Sequence, residues 1–156
     1  MKNNLSKPIL VTGATGYVGG RLVPKLLEKG YTVRAASRSL EKLKSRSWAN
    51  NPNVEIVVLN VFDKDSLVKA TSGCSVAYYL VHSMNALNKD FAHSDRIAAQ
   101  NMTSVAEAVG LERIIYLGGL GEEGENLSKH LKSRIEVAEI LKSGKVSTTV
   151  LRAAMI

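Results

Sequence analysis

The stretch Thr12-Gly13-Ala14-Thr15-Gly16-Tyr17-Val18-Gly19 constrains this chain more than any other, because three glycines recur at a fixed spacing between an apolar run and an amphipathic one. The run before it, Ile9 to Val11, is short and β-rich. The segment after it carries Val18, Leu22 and Leu26 on one helical stripe. A strand that leaves through glycines straight into a helix gives each glycine a separate task. Gly13 permits the tight turn out of the strand, Gly16 lets the backbone approach a pyrophosphate, and Gly19 lets the helix pack closely against the sheet. The helix N-terminus then offers N–H groups and a positive dipole end to phosphate oxygens. In this context the pattern predicts a dinucleotide-binding turn, the alternative being a plain strand-to-helix turn that uses glycine for geometry.

The rest of the chain repeats the alternation. Thr32 to Ala36, Val54 to Leu59, Val76 to Val81, Ile114 to Leu117 and Thr148 to Leu151 read as further strands. Helix-like segments lie between them, the longest from Lys89 to Val109 with Ile97, Met102, Val105 and Val109 on one stripe. This alternation predicts an α/β fold of Rossmann type: a doubly wound parallel sheet in a three-layer α/β/α arrangement, strand order 3-2-1-4-5 with the sixth strand beyond. At 156 residues the chain fits one domain, residues 1–156. It stops at or just past the sixth predicted strand, so a C-terminal substrate-binding portion or a second copy in a homodimer is expected to complete it. Pro24 falls inside the first helix, where its ring opposes the carbonyl of Gly20, and a kink is expected there.

Composition excludes several classes. Hydrophobic residues make up 45% and charged residues 22%, as in globular rather than disordered chains. The N-terminal residues reach the glycine turn before a signal-peptide apolar region can form, and no run approaches a membrane span. The single cysteine, Cys74, fits a reducing compartment, so a cytoplasmic location is expected. The net charge of +7 is scattered without aromatic interleaving, which reads as a solvated surface rather than a nucleic-acid face. Asp90, His93 and Asp95 precede the long helix, where the helix dipole explains the carboxylates, and no metal site is expected. Glu122, Glu123 and Glu125 read as a solvated acidic loop.

The end of the second strand bears on the choice of dinucleotide. About twenty residues beyond such a glycine turn, an acidic side chain would hold the adenosine ribose 2′-hydroxyl of NAD. Here Ser37 and Arg38 stand in that place, and a guanidinium can bind a 2′-phosphate in bidentate fashion. NADP is therefore favoured with NAD possible, a solvent-facing Arg38 being the competing reading.

These residues resemble the short-chain dehydrogenase/reductase superfamily, in its atypical and extended branches that include NmrA-like NAD(P)-binding proteins. Val11 to Leu22 is similar to the family's glycine loop, Val33 to Arg38 to its NADP-type second strand, and Leu59 to Leu67 to its third-strand exit. Val76 to Met84 is similar to the fourth-strand exit, and Ala106 to Gly121 to the helix and fifth strand. The resemblance implies cofactor contacts from Gly13, Thr15, Gly16, Tyr17, Val18 and Gly19 around the pyrophosphate. It implies Ser37 and Arg38 at the adenosine end, Asn60 and Val61 at the adenine edge, and Leu80, Val81 and His82 towards the nicotinamide.

The same resemblance implies a hydroxyl residue after strand five and a Tyr-x-x-x-Lys pair on the next helix, and the chain departs from both. Gly118 and Gly119 stand near the hydroxyl position, and the spacing match on the helix is His130-x-x-x-Arg134, beside Leu131, Ile135, Ala138 and Leu141. Arginine stays protonated and cannot relay a proton. Two readings stay open: an NADP-dependent oxidoreductase in which His130 and Arg134 are the weak catalytic candidates, and a non-catalytic dinucleotide-binding redox sensor or regulatory module.

Overall fold

The computed structural model describes residues 7–82, 90–120 and 126–154. Its elements alternate along the chain: β1 (Ile9–Val11), α1 (Tyr17–Glu28), β2 (Val33–Ser37), α2 (Leu40–Lys44), β3 (Val54–Val58) and α3 (Lys64–Thr71). There follow β4 (Val76–Tyr79), α4 (Phe91–Val109), β5 (Arg113–Gly119), α5 (Lys129–Ser143) and β6 (Ser147–Ala153). The strands form one sheet in the order β3-β2-β1-β4-β5-β6, every pair parallel. Chain direction reverses its progress across the sheet between β1 and β4, the switch point at which open α/β sheets bind ligands.

Side chains alternate across this sheet and make two cores. Leu10, Ala36, Ala77, Tyr79, Ile114 and Tyr116 point to one face, packed with Leu67 of α3, Met102 of α4 and Leu141 of α5. Ile9, Val11, Val33 and Ala35 point to the other, with Val23 and Leu26 of α1, Leu43 of α2 and Trp48. Strand period two thus sorts each run between two helix layers, which is why these buried strands read as continuous apolar runs.

Helix stripes are rotated from the simplest sequence reading. In α1 the buried residues are Gly19, Val23 and Leu26, with Leu22 only partly covered. In α4 they are Ala98, Ala99, Met102, Val105 and Ala106, and in α5 Ser133, Val137 and Leu141. Small residues, Gly19, Ala98, Ala99, Ala106 and Ser133, share these buried faces with Val23, Met102 and Leu141. α1 runs through Pro24 as one element.

Two strand ends differ from expectation for identifiable reasons. β4 stops at Tyr79 because the next amide, Leu80 N, donates to the Thr12 hydroxyl (2.9 Å) instead of the ladder. That hydroxyl in turn donates to the Tyr78 carbonyl (3.1 Å), so a fully buried Thr12 joins the exits of β1 and β4. β5 extends through Gly118 and Gly119 because β6 continues alongside, pairing Arg152 and Ala153 with them. At the opposite end of the sheet, Arg34 Nη1 donates to the carbonyls of Ala70 (2.9 Å) and Ser72 (2.7 Å), closing the C-terminus of α3. Burial pushes the Cys74 thiol up, with Arg34 opposing. Among the described residues no helix is long and apolar enough to cross a membrane.

Candidate cofactor-binding site

The β1–α1 turn is built by its glycines. Gly13 has φ +63, and a Cβ there would stand 2.9 Å from the Leu80 carbonyl oxygen, so both conformation and space exclude a side chain. Gly16 is the N-cap of α1 and contributes no side-chain cap, leaving first-turn N–H groups for another acceptor. A Cβ on Gly19 would run into the Gly13 carbonyl and lie 2.9 Å from Ala14 Cα. Its close approach is therefore to the turn itself rather than to the sheet at large.

Neighbouring elements brace that turn. Ala14 N donates to the Ala36 carbonyl (3.0 Å), and the Thr15 and Ser37 hydroxyls share a hydrogen bond of 3.0 Å. Arg46, beyond α2, donates to the Thr15 carbonyl. At the β2 exit Ser39 caps α2, accepting from Lys42 N (3.2 Å), and its own amide reaches the Ser37 hydroxyl (3.3 Å).

Together these segments border a cleft of about 790 Å³, within the size range of small-molecule sites. Gly13, Thr15 and Gly16 form one wall, with Ser37, Arg38, Ser39 and Lys42 beside it. Val61 lines it from the β3 exit with Leu59 and Phe62, and Leu80, Val81 and His82 line it from the β4 exit, opposite Ser94 of α4. The cleft thus gathers nine of the residues singled out from sequence.

Four others lie outside its lining. Tyr17 is 65% exposed, with the Arg21 guanidinium 3.8 Å over its ring. Val18 is half-buried on α1 and Gly19 lies beneath the turn. Asn60 shapes the β3–α3 loop: its side chain accepts from Phe62 N (3.1 Å), and its amide donates to the Ser66 hydroxyl (2.9 Å).

Ser39, Leu59, Phe62, Lys42 and Ser94 were not predicted to line the cleft. Ser39 and Lys42 have a readable signal, a serine N-cap three residues ahead of a lysine. Ser94 has none, because its place depends on how α4 crosses the sheet.

The two candidates on α5, His130 and Arg134, sit in different surroundings. His130 is exposed and stacks on Phe91, centroids 4.4 Å apart at 14°, and it is absent from the cleft lining. Arg134 lies by β5: its Cδ would be 3.6 Å from a Cβ on Gly119, and Leu131 Cδ1 would be 2.6 Å away. A side chain at 119 would therefore meet the end of the Leu131 side chain from α5. Gly118 differs, since a Cβ there meets Tyr116 and Val150 at ordinary contact distances.

We expect Gly119→Ser to make the Leu131 side chain turn aside at a cost of about 1 kcal/mol, and Gly118→Ser to cost less. Urea unfolding of both variants checks the order.

The nearby titratable groups are set by burial. Burial pushes the Tyr116 hydroxyl up to about 12, keeping it un-ionised, with Arg134 opposing and Asp95 reinforcing. His82 is lowered by burial first and then by Arg134, with Asp95 opposing. Asp95 accepts from the Ser133 hydroxyl (3.0 Å), tying α4 to α5. Among the described residues no three His, Cys, Asp or Glu side chains gather as a metal site. Lys89, Glu122, Glu123 and Glu125 lie outside the described residues.

A family model described as NAD(P)H-binding matches residues 13–156, nearly the whole chain. The chain belongs to that NAD(P)H-binding family. It is an NAD(P)-binding Rossmann domain affiliated with the short-chain dehydrogenase/reductase superfamily. Maize dihydroflavonol 4-reductase is 31% identical over 123 residues, covering 72% of this chain and 34% of that enzyme. A Staphylococcus aureus nucleoside-diphosphate-sugar epimerase superposes with TM-score 0.80 at 21% identity, over 95% of this chain and 50% of that one. Citrobacter triphenylmethane reductase, in complex with NADP(H), gives TM-score 0.78 at 23% identity, over 95% and 50%. The chain spans less than two fifths of the length of the first curated relatives it matches.

The site fits such a dinucleotide on its own geometry. The uncapped start of α1 would offer its N–H groups to a pyrophosphate, and glycine at 13 lets the turn pass the Leu80 carbonyl that a Cβ would strike.

Proposed function

We propose that this domain forms the cofactor-binding part of an NADP(H)-dependent reductase, with NADP preferred over NAD. The observation that carries the preference is the β2 exit: Arg38 and Lys42 line the cleft with Ser37 and Ser39, and no carboxylate stands among the described lining residues. A carboxylate there would accept the ribose 2′-hydroxyl and repel a 2′-phosphate, whereas two cations attract the phosphate.

On this reading Gly13, Thr15 and Gly16 hold the pyrophosphate, and Val61 with Phe62 packs the adenine. Leu80, Val81 and His82 bound the nicotinamide end. Bound dinucleotide supplies or accepts the hydride, while the chain orients it and shields its reacting end. A downstream portion or a second copy would complete the substrate pocket, and the cytoplasm is the compartment we assign.

Calorimetric titration tests the reading. We expect NADPH to bind at least tenfold more tightly than NADH, and 2′,5′-ADP more tightly than ADP. Equal affinities within each pair would remove the assigned role of Arg38 and Lys42. A non-catalytic redox sensor is the second reading, favoured by the stacking of His130 on Phe91 and by glycines at 118 and 119 in place of a hydroxyl residue. Turnover of NADPH with any carbonyl compound excludes it.

A further inference from the structure

The cleft contains one side chain whose ordinary pKa lies near neutrality, among the described residues that line it: His82. It follows β4 at the end of the cleft assigned to the nicotinamide, and its ring meets Tyr116 edge-on, centroids 6.3 Å apart at 60°. Tyr116 of β5 is 1% exposed and stays un-ionised. Arg134 of α5 and Asp95 of α4 are the charged groups acting on the imidazole from the packed helices. His130, at the family's tyrosine spacing, faces Phe91 instead.

We propose that His82, rather than His130, is the acid–base residue beside the reacting end of the bound dinucleotide. This rests on the NADP(H)-dependent reading above. In the oxidising direction an alcohol O–H gives its proton to the imidazole, while the carbinol carbon passes a hydride, with its electron pair, to the oxidised nicotinamide. The products are a carbonyl, an imidazolium and the reduced dinucleotide; the imidazolium then returns its proton to water. Carbonyl reduction is the reverse, with the imidazolium protonating the oxygen that receives the electron pair. Burial and Arg134 favour the neutral ring, so at neutral pH His82 stands ready as the base.

The test follows the three histidines, His82, His93 and His130, by NMR of imidazole-labelled protein, assigned with His93→Gln and His130→Gln. Titrations are run alone and with saturating 2′,5′-ADP, NADPH or NADP⁺, with binding established by calorimetry. The positive ring of NADP⁺ disfavours a neighbouring imidazolium, so the His82 midpoint is expected lower with NADP⁺ than with NADPH. It is expected to change little with 2′,5′-ADP, which carries only the adenosine end.

Linkage requires the reciprocal effect: acidification through that midpoint weakens NADP⁺ relative to NADPH, by about three- to tenfold. Nucleotide binding with equal His82 midpoints in the two redox forms overturns the assignment of His82 and leaves the cofactor reading standing. A redox-dependent midpoint at His130 instead also overturns it. Failure of every nucleotide to bind overturns both.

Discussion

Gly19→Ala is expected to destabilise the domain and to abolish dinucleotide binding, the reverse of what the same change does in most helices. In an exposed helix interior alanine is favoured over glycine by about 1 kcal/mol. Here the added methyl would enter the Gly13 carbonyl and crowd Ala14 Cα. Both obstacles are backbone, so no rotamer change relieves them and the start of α1 must back away from the turn. Overpacking of this kind costs roughly 1–3 kcal/mol and moves the first-turn N–H groups off their phosphate. Urea unfolding and NADPH calorimetry measure the two effects; a variant as stable and as tight as the parent would show that α1 has slack. Gly20→Ala is the control, because its nearest obstacle is the flexible end of Arg46 at 3.3 Å.

Arg38→Ala should lower NADPH affinity ten- to hundredfold and leave NADH within about twofold. A charge-assisted contact to a phosphate contributes roughly 1.5–3 kcal/mol, which converts to that range. The side chain is exposed at the β2 exit, so its removal disturbs no core. Parallel loss of NADPH and NADH affinity would mean that Arg38 shapes the loop rather than reading the 2′-phosphate. Lys42→Ala should weaken NADPH less, because an ammonium acts as a point charge without the paired geometry of a guanidinium.

Much of the fold was legible because two signals coincide. β-rich runs such as Val54 to Val58 alternate with helical stripes, and a parallel sheet with covered faces is the arrangement that buries both. The glycine turn was legible in role, since Gly13 adopts the positive φ that only glycine adopts freely. The rest depends on contacts that sequence spacing does not encode. Ala98 and Ala99 are buried where Ile97 is only partly so, a rotation of the α4 stripe that the spacing of large apolar residues does not announce. Arg46 reaches Thr15 across 31 positions. His130 sits at the family spacing, yet Phe91, on another helix, draws it into a stack, and no local pattern announces that partner.

The Thr12 hydroxyl has a consequence for how the two ends of a ligand communicate. One oxygen holds the Leu80 amide and the Tyr78 carbonyl, while Gly13, the next residue, passes so near Leu80 that a Cβ there would meet its carbonyl oxygen. The phosphate turn and the strand exit that leads to His82 are thereby riveted into a single jaw. On the proposed reading the pyrophosphate held at the turn fixes where the nicotinamide end meets that strand exit, so the middle of the ligand is the pivot from which the chain aims its reacting end.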